Sequence, residues 1–140
     1  MIDHPHRPFF SVIMNCYDGE KYLKRAIDSV FSQTHKDWEI IFVDNASVDN
    51  SRIIAESYSK KLKVHRLSQL LPFGYARKYA VEQASGMWIT FLDVDDFWEA
   101  HKLEAQYNRL HESNFVACYG GHYSVDQDGK VFGVNAPKCD

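Results

Sequence analysis

Three carboxylates fall within four residues at Asp93-Val94-Asp95-Asp96, directly after the apolar run Met87-Trp88-Ile89-Thr90-Phe91-Leu92. Like charges this close repel one another in a partly sheltered cleft unless a cation or protons offset them, and a divalent metal is the economical answer. Carboxylate oxygens suit hard ions such as Mg2+ and Mn2+; when a protein offers only one or two of them, water and substrate phosphate complete the shell. The cluster therefore points to a phosphorylated or diphosphate substrate. Asn15, Tyr17, Asp18 and Glu20 follow the apolar run of residues 9–14, and Asp44, Asn45, Ser47 and Asp49 follow that of residues 38–43. Capping is the plain alternative, because Asp96-Phe97-Trp98-Glu99 has the spacing of a capping box and Asp49 that of an N-cap. It accounts for Asp96 and Glu99 but leaves Asp93 and Asp95 without a reason. Arg77, early in a helical stretch beside Lys78, suits a phosphate or one of these carboxylates, against the competing reading of a solvated helix face.

The elements that must position these groups alternate. Strands are expected at 9–14, 38–43, 62–67 and 87–92, each a short run of strand formers. Tyr22, Leu23, Ala26, Ile27, Val30 and Phe31 recur at helical spacing over 20–33. A second helix is expected from Asp49 to about Lys60, a third carries Ala76, Tyr79, Ala80 and Ala84 and closes at Gly86 as its C′ residue, and a fourth runs from about Trp98 to Glu112. A strand over 115–124 and the turn Gln127-Asp128-Gly129-Lys130 predict a closing hairpin with Val131-Phe132-Gly133-Val134. The order β-α-β-α-β-α-β-α-β-β implies an α/β fold: a mainly parallel sheet flanked by helices, with the hairpin as a mixed, antiparallel edge. In such sheets ligands bind beyond the carboxyl ends of the strands, where the acidic and amide groups gather.

Composition bounds the rest. The 140 residues are 45% hydrophobic and 25% charged, the profile of one foldable domain. A net charge of −3 gives no electrostatic footprint for nucleic acid or an anionic membrane. Cys16, Cys118 and Cys139 are odd in number and contain no C-x-x-C, so neither a disulfide framework nor a zinc site is suggested, and a reducing cytoplasm is the expected location. No run approaches the roughly 20 apolar residues of a membrane helix. The seven histidines show no metal-ligand spacing. No G-x-G-x-x-G, Walker A or G-x-S-x-G string occurs, so any phosphate is held by a metal rather than a glycine cradle.

The segments Ser11–Leu23, Ser29–Thr34, Val43–Ser51, Ala76-Arg77, Gly86 and Phe91–Asp96 together resemble family 2 glycosyltransferases of the Rossmann-like GT-A fold, across about residues 11–110. The resemblance implies that Asn15, Tyr17, Glu20, Asp44 and Asn45 line a base and ribose pocket and that Arg77 approaches the nucleotide or diphosphate. Asp95 is then the direct ligand of Mn2+ or Mg2+, with Asp93 nearer the ribose or the metal's waters. It further implies a UDP-sugar donor, a glycan or lipid-linked acceptor, inversion, and a role in cell-envelope polysaccharide synthesis on the cytoplasmic side. The family form of the second motif is two aspartates followed by Gly-Ser, where this chain has Asp44-Asn45-Ala46-Ser47, and Lys78 replaces the usual Asn. The organisation expected is a leader over 1–9, nucleotide-sugar-binding repeats over 10–113 and the start of an acceptor half over 114–140, with the general base beyond Asp140. Asp126 and Asp128, in a hairpin turn, are poor substitutes for it. A D-x-D phosphatase is disfavoured because 44 residues after Asp96 are too few for its remaining crossovers. A non-catalytic nucleotide-sugar-binding module lacking the acceptor half is the remaining alternative.

Overall fold

The computed structural model describes residues 6–112 and 114–136. Strands β1 (Phe10–Cys16) and β2 (Trp38–Asp44) are buried along nearly their whole lengths, which is why their sequences are continuous apolar runs rather than alternations. With β3 (Leu62–Arg66) and β4 (Trp88–Phe91) they form a wholly parallel sheet in the order β3-β2-β1-β4. The register runs from Phe10↔Trp38 to Cys16↔Asp44 on one side of β1 and from Phe10↔Trp88 to Ile13↔Phe91 on the other. All the carboxyl ends therefore emerge on one rim, and the strand order reverses between β1 and β4.

Helices α1 (Glu20–Phe31) and α2 (Ser51–Glu56) pack together, while α3 (Phe73–Glu82) lies against β1 and β2. The period of two sorts the core. Ile13, Ile41 and Val43 pack with Ala80, flanked by Leu67, Tyr79 and Ala84; Val12, Met14, Ile40 and Phe42 turn to the opposite face and are fully buried.

Several boundaries differ from expectation for physical reasons. The second helix stops at Glu56. The third ends at Glu82 with Gln83 as its cap, so Gly86 is not its C′ residue. Instead the Gly86 amide donates to Ser11 Oγ at 2.8 Å, and a Cβ there would stand 2.6 Å from the Ser11 nitrogen, so only glycine permits the approach to β1. Helix α4 (Lys102–Leu110) starts later than Trp98: the Leu103 amide donates to Gln33 Oε1 and not to the Glu99 carbonyl, which accepts from Gln33 Nε2 and the Lys102 amide, while the Ala100 carbonyl accepts from the Thr34 amide. The helix therefore does not open at the Asp96–Glu99 string. Strand β5 (His122–Val125) covers only the end of its expected run, which Gly120-Gly121 interrupts. With β6 (Val131–Asn135) it makes an antiparallel hairpin that is a sheet of its own rather than an edge of the parallel one. The chain divides into two compact units, Met1–Leu103 and Glu104–Asp140. Among the described residues no helix is long and apolar enough to cross a membrane.

At the amino ends of the strands a buried carboxylate ties the sheet together. Glu39 accepts hydrogen bonds from Ser11 Oγ at 2.6 Å, from Ser85 N and Oγ at 2.8 Å each, and from Lys63 Nζ at 2.6 Å. Burial alone would raise its pKa, but these donors outweigh it and hold the group down at about 2, against an ordinary 4.5. The resulting stability is fully present above the ordinary value and is lost as pH falls from there towards the folded-state pKa. Glu39→Ala is expected to cost about 3 kcal/mol at pH 7. Urea unfolding of both proteins should show the gap closing between pH 4.5 and 2.

Candidate functional site

The loops that follow β1 and β2 are fastened to each other. The Asp18 amide donates to Ser47 Oγ at 3.0 Å and the Val48 amide to Asp18 Oδ1 at 2.9 Å. The Gly19 amide donates to Ser51 Oγ and the Glu20 amide to Asp49 Oδ2, both at 2.9 Å. In return the backbone and side-chain amides of Asn50 both donate to Glu20 Oε2 at 2.8 Å. Asp49 Oδ1 also accepts from the Ser51 amide at 2.9 Å, so one carboxylate serves the first residues of both α1 and α2. Partial burial works against its ionisation, yet the hydrogen bonds win and its pKa is lowered. Glu20, expected in a ribose pocket, commits one oxygen to this clamp.

The clamp requires two left-handed residues, Asp18 at φ 49° and Ala46 at φ 63°. Aspartate tolerates that region, whereas alanine carries its Cβ into it at a cost of about 1 kcal/mol. Ala46 stands where the family pattern has glycine. Ala46→Gly is therefore expected to stabilise the chain by roughly 0.5–1 kcal/mol, a rise of a few degrees in Tm by thermal unfolding. An unchanged or lower Tm would show that the strain is relieved elsewhere.

At the strand ends the polar groups divide into committed and uncommitted ones. Asn45 is committed: its Nδ2 donates to the Leu71 carbonyl at 2.8 Å and its Oδ1 accepts from the Leu71 amide at 2.9 Å. The family resemblance implies a place for Asn45 in the base and ribose pocket; here its side-chain amide ties the segment before α3 to the rim. Asp44 is fully buried and half committed, with Oδ1 accepting from the Ser47 amide at 2.9 Å. Its Oδ2 is buried without a hydrogen-bond partner, the Arg66 Nε being 3.7 Å away. Both side-chain polar atoms of Asn15 are also buried and unpartnered. Tyr17 is half exposed at the same rim.

The acidic loop arrives beside them. The Leu92 amide extends the β4 pairing to the Ile13 carbonyl at 3.0 Å, and Asp93 follows. A Cβ on Gly19 would stand 2.8 Å from Cys16 Sγ and 3.0 Å from Val94 Cγ2, so the first loop and Asp93-Val94-Asp95 lie against one another. Arg77 Nη2 donates to Asp93 Oδ1 at 2.6 Å, which places Arg77 on the rim and rules out a merely solvated helix face. Asp95 and Asp96 are exposed. Among the described residues no three His, Cys, Asp or Glu side chains gather into a ready-made metal cage. Asp93 and Asp95 instead fit a hard cation that draws its other ligands from water and phosphate. In the second unit, Asp126 Oδ1 accepts from the amides of Asp128 at 3.0 Å and Lys130 at 2.9 Å, a turn role and not that of a base.

Gln33 is the residue that sequence reasoning did not single out. It is fully buried; its Nε2 donates to the carbonyls of Ser29 at 2.9 Å and Glu99 at 2.8 Å, and its Oε1 accepts from the Leu103 amide at 2.9 Å. The signal available was a polar residue at the end of an amphipathic helix, next to Thr34 in a motif that the family resemblance already included.

Comparison with known proteins matches this arrangement. The Glycosyl transferase family 2 model covers residues 11–136. A Bacillus subtilis protein named for teichuronic acid biosynthesis, TuaG, is 35% identical over 126 residues, 88% of this chain and 50% of its own length. The Escherichia coli protein WfgD, named as a UDP-Glc:alpha-D-GlcNAc-diphosphoundecaprenol beta-1,3-glucosyltransferase, is 33% identical over 129 residues, 91% of this chain and 51% of its own. The chain thus spans about half the length of these relatives. Residues 1–349 of Staphylococcus aureus TarS, crystallised with UDP, superpose with a TM-score of 0.71 at 32% identity, covering 74% of this chain and 32% of that one. The parallel sheet, its flanking helices and the small hairpin are the GT-A arrangement, and the chain belongs to glycosyl transferase family 2.

Proposed function

We propose that this chain is the donor-binding part of a glycosyltransferase that moves a sugar from a nucleotide sugar, a UDP-sugar by preference, to an acceptor hydroxyl with inversion. One observation carries the reading: four polar atoms on the rim, both of Asn15, Asp44 Oδ2 and Arg77 Nε, are buried with no hydrogen-bond partner. Each lowers the stability of the chain, by about 1–3 kcal/mol if left unmatched. A ligand rich in donors and acceptors at that rim would repay them. Asp44 Oδ2 is suited to accept from a base or ribose donor, Asn15 to complete the same pocket, and Tyr17 to lie against the ring.

Arg77 offers its remaining N–H groups to the diphosphate, and Asp95, the uncommitted member of the D-x-D, is the direct ligand for Mn2+ or Mg2+. Asp93, already held by Arg77, sits behind it. When bound, that ion would neutralise charge on the leaving diphosphate. Inverting transfer also needs a carboxylate to deprotonate the acceptor hydroxyl, and no described residue of this chain is assigned that role. TarS has been crystallised with UDP-GlcNAc as well as UDP, and WfgD is named for a UDP donor and a diphosphoundecaprenol-linked acceptor. These, with the teichuronic acid relative, support a UDP-sugar, a glycan or lipid-linked acceptor and a place in cell-envelope glycan assembly; the cytoplasmic face is part of the proposal. Because the chain spans half of those relatives, a nucleotide-sugar-binding module without transfer activity is the second reading.

The test is calorimetric titration of the chain with UDP, GDP and dTDP, each with and without Mn2+. Metal-dependent binding of UDP alone is the expected result, and absence of binding to all three would sink the proposal. Transfer from a UDP-sugar to an added lipid-linked acceptor then separates enzyme from binding module.

A further inference from the structure

Arg77 is held from three sides. Besides its bond to Asp93, its guanidinium carbon lies over the Phe73 ring at 4.2 Å from the centroid and over the Phe91 ring at 4.7 Å. Phe73 opens α3 and Phe91 closes β4, so the two rings reach the guanidinium from different elements. They are 57% and 45% exposed, so core packing does not account for them. Nor does stability account for the arrangement. An ion pair this open contributes little, and burying Arg77 Nε without a partner opposes folding. What the two rings do supply is orientation: a planar guanidinium lying over aromatic faces keeps its N–H donors pointing outward along its edges. One such edge is taken by Asp93. Without the rings a long, flexible arginine would hold neither its own free edge nor the Asp93 carboxylate in one place.

Resting on the reading of this rim as the donor site, we propose that Phe73 and Phe91 are positioning residues. They form an aromatic clamp that fixes the Arg77 guanidinium, and through it Asp93, for a nucleoside diphosphate. Neither ring is assigned a contact with the reacting atoms. The clamp sets how well a donor is held and has little to do with whether the chain folds.

The experiment is UDP titration of the 140-residue chain in Mn2+. Phe73→Leu and Phe91→Leu should each weaken UDP about five- to tenfold with Tm nearly unchanged, and Phe91→Tyr, which keeps the ring face, should bind like wild type. In an Arg77→Ala background neither leucine substitution should weaken binding further, because nothing is left to position. A 15N-resolved NMR spectrum of the ligand-free chain supplies a readout that a purely structural role would not move. The Arg77 Nε–H signal should be slowly exchanging in wild type and Phe91→Tyr and lost to solvent exchange in the leucine variants. Leucine variants that bind UDP like wild type, or that lose affinity equally with and without Arg77, overturn the clamp alone. A wild-type chain that binds no nucleotide overturns the donor-site reading, and the clamp's purpose with it.

Discussion

Asp95→Ala is expected to lower Mn2+-dependent UDP affinity about 100-fold or more, roughly 2.7 kcal/mol, while Tm moves by no more than about 1 °C. The reasoning starts from how the two aspartates of the D-x-D differ. Asp93 is tied to Arg77 at 2.6 Å, so part of its charge is already answered within the protein. Asp95 is exposed and is the carboxylate left to meet a cation. Its removal would delete the proposed metal ligand and no hydrogen bond or ion pair to another described residue, and it would relieve like-charge repulsion from Asp93 and Asp96. Asp49→Ala is the matching control. It removes the carboxylate that accepts from both Glu20 and Ser51 and should cost about 1–2 kcal/mol of stability while the folded protein still binds. Equal UDP affinity in wild type and Asp95→Ala would place the metal elsewhere or remove it from the account.

Gln33→Ala should destabilise the chain by about 2–4 kcal/mol, a fall of roughly 10 °C in Tm. The side chain is buried and makes three hydrogen bonds, one within its own helix end, one to the segment between Asp96 and α4 and one to the first turn of α4. Alanine would leave the Leu103 N–H unmatched, take one of two donors from the Glu99 carbonyl and open a small void as well. Because that segment follows directly on Asp93–Asp96, UDP affinity should fall too, even at temperatures where the variant is folded. A Tm within about 2 °C of wild type would mean that water replaces the amide without loss, and that Gln33 is not the bracket described.

How much of this was legible in the sequence depended on the range of the forces involved. The strands β1 and β2 announce themselves, because a strand buried on both faces must be apolar at every position. The rim followed from parallel topology, which sends the ends of β1, β2 and β4 to one side whatever the loop details. What the sequence did not disclose were hydrogen-bond commitments between residues far apart in the chain. Glu20 engages Asn50, Asn45 engages Leu71, and Gln33 reaches Glu99 across 66 residues. The same side chain also takes the Leu103 amide, which a helix opening at Trp98 would have paired with the Glu99 carbonyl, so α4 begins later than local capping preference suggests. Gly86 reads in sequence as a helix terminator, and its actual reason, close approach to Ser11, exists only once β1 and the chain before β4 are side by side.

The mutual fastening of the loops after β1 and β2 also bears on affinity. Each loop donates to the other and accepts from it, so neither can come loose while the other stays ordered, and both form when the sheet forms. The conformational entropy of those residues is thus surrendered during folding and not at the moment a ligand arrives. A nucleotide would meet a single stiff shelf in place of two wandering loops.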